Sequence, residues 1–151
     1  MNAAPIARCG QRLRRAVRAA AMVLAASWGT TASGHPANLD LSLQRPSDRN
    51  VFQVELASGT TPVPMSKIHQ WTVHVTDAGG TPVSGASLKI DGGMPEHGHG
   101  LPTAPKAAPG ATPGDYVITG MKFSMKGWWV LKVYVRTTDG RADQITFNIV
   151  L

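Results

Sequence analysis

Trp128-Trp129-Val130-Leu131-Lys132-Val133-Tyr134-Val135-Arg136 is the stretch on which the fold turns. Side chains alternate across a strand, so Trp129, Leu131, Val133 and Val135 share an apolar face while Trp128, Val130, Lys132, Tyr134 and Arg136 line the other. That period, in β-branched and aromatic residues, predicts a long half-buried strand. Asp139-Gly140 then signals a turn, and Ile145, Phe147, Ile149 and Leu151 repeat the pattern in a closing strand.

The same period recurs upstream. Leu39, Leu41 and Leu43 alternate strictly and predict a first strand, with Arg45 to Asn50 as a turn and Phe52, Val54 and Leu56 as the second arm of a hairpin. After a loop over 58–64, His69, Trp71, Val73 and Val75 share a face, with His74 among polar neighbours on the other and expected to face solvent. Ala86, Leu88 and Ile90 mark another strand. Lys106 to Pro113, rich in alanine, proline and glycine, reads as a mobile connection. Tyr116 to Thr119 is a short strand, and Met121, Phe123 and Met125 share one parity before Gly127 turns the chain. About seven strands with no amphipathic helix and no internal repeat predict an all-β sandwich, because a sheet with one apolar face must bury it against another.

The first 34 residues read differently. Arg8, Arg12, Arg14, Arg15 and Arg18 precede an apolar run from Ala19 to Trp28, followed by the small, polar Thr30 to Gly34. Basic, apolar and small segments in that order make a cleaved signal peptide over 1–34, leaving a domain over 35–151 in the periplasm or secreted; cuts after Ala32 or near Ala26 are alternatives. The apolar run is shorter than the roughly 20 residues that cross a bilayer, so no membrane span is expected after cleavage. Five of the 15 basic residues lie before residue 35 and all nine acidic ones lie beyond it, so the formal charge of +6 falls to +1. No two basic residues are adjacent in the remainder, which disfavours a nucleic-acid partner. Cys9 is the only cysteine and precedes the apolar run, so beyond residue 34 there is no disulfide and no thiolate for a metal.

The chemistry concentrates in Gly92-Gly93-Met94-Pro95-Glu96-His97-Gly98-His99-Gly100-Leu101-Pro102-Thr103-Ala104-Pro105. Four glycines and three prolines predict a constrained, exposed loop rather than a ladder strand. Imidazole and thioether donors favour a soft ion, the cuprous ion above all, whereas calcium or magnesium would require carboxylates, of which the loop has only Glu96. His97 and His99, two apart, emerge on one side of an extended segment, and Met94 can fold back around Pro95. The alternative is a glycine-proline surface loop with incidental histidines.

Met94-Pro95-Glu96-His97-Gly98-His99-Gly100-Leu101-Pro102-Thr103, with Gly120-Met121-Lys122-Phe123-Ser124-Met125-Lys126-Gly127-Trp128-Trp129 some twenty residues on, resembles the YtkA-like (FixH-like) domain of bacterial envelope proteins. The likeness runs from about Pro62 to Val135. It implies an immunoglobulin-like β-sandwich outside the cytoplasm and a copper role for Met94, His97, His99 and Met125.

Bland readings stand beside these. Met125 and Met121 equally suit core filling. His69, near Trp71, reads as structural or as a ligand approaching the loop from beneath, and Trp128 as an edge residue or the wall of a metal site. Cleavage before His35 would create an amino-terminal cupric chelate. No nucleophile elbow, phosphate loop or zinc-protease motif occurs, so no enzyme activity is expected. The resulting expectation is a periplasmic copper carrier or buffer, handing its ion to a copper-handling protein or to a membrane oxidase during assembly. The alternative is a metal-free interaction module of the envelope.

Overall fold

The computed structural model describes residues 36–151; the signal-peptide reading and His35 lie outside the described residues. Nine strands form: β1 (Gln44–Pro46), β2 (Phe52–Ser58), β3 (His69–Asp77), β4 (Ser87–Met94), β5 (His99–Gly100), β6 (Lys106–Pro109), β7 (Asp115–Met121), β8 (Trp128–Arg136) and β9 (Ala142–Val150). The described residues include no helix, and hence none long and apolar enough to cross a membrane.

All strand pairings are antiparallel and follow one path, β1-β2-β3-β7-β6-β4-β8-β9, with β5 hairpinned onto β4. The ends of that path approach each other. The Asp48 N–H donates to the Gln144 carbonyl at 2.9 Å, and Arg45 Nη1 donates to the Thr146 carbonyl at 2.7 Å. The sheet is therefore nearly closed and barrel-like.

Alternation fills the interior. Trp129, Leu131, Val133 and Val135 of β8, expected inward, are each at most 1% exposed, and Phe52, Val54, Trp71, Val73, Val75 and Phe147 join them in one core. With no disulfide, this apolar burial carries the fold. Two polar devices supplement it. The Tyr116 hydroxyl, fully buried, donates to the Val83 carbonyl at 2.7 Å and accepts the Ala86 N–H at 2.9 Å, tying the β3–β4 connection to β7. Asp143 on β9 holds the β1–β2 turn, accepting from the Arg49 N–H at 2.9 Å and Arg49 Nε at 3.3 Å.

The all-β expectation holds, and several of its details differ. The strands number nine rather than about seven, and they join in one nearly closed sheet. The segment expected to be mobile is the reason: Lys106 to Pro109 pairs along β7 and meets β4 at Lys106–Lys89, which joins the halves. Leu39 to Leu43 is not a strand, and Leu41 and Leu43 are 51% and 37% exposed. There the Ser42 N–H bonds to Asp40 Oδ1 and the Ser42 hydroxyl to the Gln44 carbonyl, local bonds that compete with a ladder. The ladder with β2 runs from Gln44, just after the Leu43 carbonyl accepts the Leu56 N–H at 2.8 Å, so Arg45 and Pro46, expected in a turn, lie in β1. Finally, the fourteen-residue loop is largely a hairpin, since β4 runs through Gly92-Gly93-Met94 and pairs with β5.

Two measurements check these devices. Tyr116→Phe leaves the buried Ala86 N–H and Val83 carbonyl without partners and is expected to cost about 1–3 kcal/mol in urea unfolding, with the same fold by circular dichroism. Burial of the Asp143 carboxyl works to raise its pKa. Hydrogen bonds from Ser47, the Arg49 and Gln144 N–H groups and the Arg49 side chain outweigh that and hold it at about 2, below the usual 3.8. A carboxylate with a lowered folded pKa stabilises above its unfolded pKa and loses that stabilisation as pH falls. The melting temperature is therefore expected to drop between about pH 4 and pH 2, and Asp143→Asn to flatten that part of the profile.

Candidate metal centre

The Met/His segment is built on a tight turn. The Met94 carbonyl accepts the N–H of His97 at 3.1 Å and of Gly98 at 3.0 Å, and Gly98 takes φ +66°, a conformation that favours glycine. The turn joins β4 to β5 with Met94 directly opposite His99 and Gly93 opposite Gly100. A Cβ on Gly93 would stand 2.5 Å from the His99 carbonyl oxygen, so the two backbones approach this closely only without a side chain.

Cross-strand partners project to the same face with Cβ atoms about 4.5–5.5 Å apart. Met94 and His99 thus share a face, although they differ in exposure: Met94 is 1% exposed and His99 is open to solvent. His97, also exposed, stacks on His99 with ring centroids 5.7 Å apart and planes 24° from parallel. The edge of this pair meets the buried Trp129 ring at 6.3 Å. Glu96 is exposed on the turn.

Met125 is at the same end of the sheet. Its carbonyl accepts the Trp129 indole N–H at 3.1 Å, and its side chain is 40% exposed, so it does not fill the core. Met94 reaches toward this turn as well: its methyl carbon lies 2.8 Å from where a Cβ on Gly127 would be. The structure therefore brings Met94, His97, His99 and the Met125 turn around the Trp129 indole. An open hollow of about 340 Å³ lies beside the β4–β5 turn, lined by Met94, Pro95, Gly98 and His99 with the cross-strand pair Asp91 and Lys132 on its wall; His97, Met125 and Trp129 do not line it. Hollows of about 660 and 680 Å³ elsewhere on the molecule are lined by no histidine or methionine, so size alone does not locate the chemistry.

The remaining candidates separate. Met121 is 1% exposed and belongs to the core. Trp128 is partly buried, and its indole N–H bonds to Asn148 Oδ1 at 3.1 Å. His74, expected to face solvent, is only partly exposed, with Nδ1 2.6 Å from Asp115 Oδ1. Its partner could not be read from spacing, because Asp115 is 41 residues away. Among the described residues no three His, Cys, Asp or Glu side chains gather in one place, so a multidentate centre here must draw on thioether sulfur. What sequence reading missed is Trp129 as the hinge of the site and Gly127 as the seat of the Met94 methyl; the paired Gly-Trp signal was visible, but its contact with the loop was not.

The sequence profile of the YtkA-like family matches residues 47–134, which run from β2 through most of β8 and include the loop and the Met125 turn. No curated protein matches the chain at a significant level. Among solved structures, a DUF4426 family protein from Pseudomonas aeruginosa is similar in fold, with a TM-score of 0.52 and 14% identity over 72% of this chain and 94% of that one. PcoC, a methionine-rich copper resistance protein from Escherichia coli, aligns with a TM-score of 0.40 and 16% identity over 54% of this chain and 78% of its own. That second likeness is too slight to bear on the site.

Burial of Met94 sets how its sulfur can be removed. Met94→Ala is expected to cost about 2–5 kcal/mol through the cavity it leaves, while the volume-conserving Met94→Leu costs less than about 1.5 kcal/mol. Urea denaturation of the two variants measures both.

Proposed function

The chain belongs to the YtkA-like family, and from that premise we propose that it is a periplasmic copper-binding protein, a carrier or buffer rather than an enzyme. The ordered basic, apolar and small segments over 1–34 support export. The same reading takes the sheet as an immunoglobulin-like sandwich whose layers, β1-β2-β3-β7-β6 and β4-β8-β9, meet at Lys89–Lys106.

One observation carries the metal reading. Two stacked, solvent-open imidazoles share an end of the fold with the thioether residues Met94 and Met125, in a domain without thiolates. Two imidazoles with one or two thioethers select a soft, monovalent ion, and cuprous copper is the ion that suits them. Openness suits exchange: His97 and His99 lie at the surface, so a partner can approach an ion held there. The buried Trp129 ring beneath His99 gives the bound ion an aromatic wall. The receiving partner in this reading is another copper-handling protein or a membrane oxidase under assembly.

A metal-free docking module is favoured by a different observation. Leu41, Leu43 and Val150 leave apolar surface along the hollow of about 680 Å³ beside the end of β9. The two readings part on titration with cuprous ion against a competing chelator.

The copper reading predicts one ion per chain at the loop and quenching of Trp129 fluorescence as it binds. The double variant His97→Ala, His99→Ala is expected to lose more than the roughly 10- to 100-fold in affinity that removal of an outer hydrogen-bond partner costs a metal site. Because imidazole ligates only when neutral, affinity is expected to fall as the solution is acidified. Unchanged affinity in the double variant would remove the loop as the site, whereas no cuprous binding by the unsubstituted protein would leave the docking module.

A further inference from the structure

A second constellation lies beneath the first. Among the described residues, two buried side-chain nitrogens have no hydrogen-bond partner, His69 Nε2 and Trp71 Nε1. They sit two residues apart on β3, with ring centroids 6.4 Å apart, where a bulge interrupts the β3–β7 ladder and re-aims the side chains. Buried polar atoms are nearly always paired, and an orphaned one costs about 1–3 kcal/mol.

The tautomer of His69 follows from its other nitrogen. Nδ1 lies 3.0 Å from the Lys67 carbonyl oxygen, which can only accept, so Nδ1 carries the proton. In the neutral ring Nε2 is then a bare lone pair inside a residue only 7% exposed. This is how metal-binding imidazoles are oriented: one nitrogen donates to a carbonyl and the other presents its lone pair to the ion.

A soft donor stands across the ladder. Met121 is the direct partner of His69 on β7 and is 1% exposed, and partners of this kind have Cβ atoms about 4.5–5.5 Å apart, within reach of a thioether. Phe123, 5.6 Å from the His69 ring, is bridged to Met65. Met65, Met94, Met121 and Met125, all the methionines beyond residue 35, therefore gather at this end of the sheet.

We propose that His69 Nε2 and the Met121 thioether form a second, interior site for a soft monovalent cation, distinct from the loop. Phe123 and Trp129 stand between the two sites, in a row of ring contacts from His69 to Phe123 (5.6 Å), to Trp129 (5.1 Å), to His99 (6.3 Å). The interior site shares with the loop reading only the identity of the metal. A bound water would also satisfy both orphans, accepting from Trp71 and donating to His69, but it gives the thioether opposite His69 no part beyond packing.

The test uses silver(I), a redox-inert soft monovalent ion, with the full-length protein carrying His97→Ala and His99→Ala. The expected result is uptake of one equivalent together with displacement of the ¹⁵N resonance of His69 Nε2. Adding Met121→Leu, which conserves core volume, is expected to weaken that uptake by about tenfold or more. Absence of silver uptake, as for a site holding only water, or uptake that leaves the His69 resonance unmoved, overturns the proposal. Failure of the loop reading shows separately, as ring resonances of His97 and His99 that do not respond in the unsubstituted protein.

Discussion

The indole N–H of Trp129, held at 3.1 Å by the carbonyl of Met125, fixes the ring against which both the core and the β4–β5 turn pack. On one side the Trp129 ring is fully buried, packed 5.1 Å from Phe123 in a core that has no disulfide to assist it. On the other its edge supports the stacked imidazoles of the β4–β5 turn at 6.3 Å. A buried indole with its single donor satisfied has little freedom to move, so the turn above it inherits that rigidity. An ion site on a hairpin would otherwise pay for its own ordering at each binding event.

Much of the fold was legible in the sequence, and the reason is physical. Period-two alternation is imposed by the backbone itself, so Trp129 to Val135, Phe52 to Leu56 and Ile145 to Ile149 turned inward as read. The failures came where local chemistry or long-range pairing overrode the pattern. Leu39 to Leu43 alternates as well as any strand, but Asp40 and Ser42 hold the Ser42 backbone in local bonds, and β2 takes up the pairing at the Leu43 carbonyl. Lys106 to Pro109 has the composition of a linker, yet β7 presents a free edge to it, and a strand that completes a sheet needs little intrinsic propensity.

The candidate residues were legible in the sequence and their geometry was not. Met94, His97 and His99 could be picked out as candidates because imidazole and thioether stand so close together in one short segment. Their division of exposure could not: pairing of Met94 with His99 places both on one face, one side chain sealed in the core and the other in solvent. Met125 followed its parity with Phe123 only to the turn, where Gly127 at φ +127° redirects the chain and leaves the side chain 40% exposed. His69 gave no sign in sequence of the bare Nε2 that burial and the Lys67 carbonyl impose on it.

The central claim is that sulfur and imidazole at this end of the sheet hold one soft ion together. X-ray absorption at the copper edge of the protein loaded with a single cuprous ion addresses it most directly, because it reports the donor atoms themselves. The account predicts a coordination shell containing both imidazole nitrogen and thioether sulfur, with the two imidazoles reduced to the single one of His69 when His97 and His99 are replaced by alanine. A shell of nitrogen and oxygen alone, or one unchanged by that replacement, would contradict it.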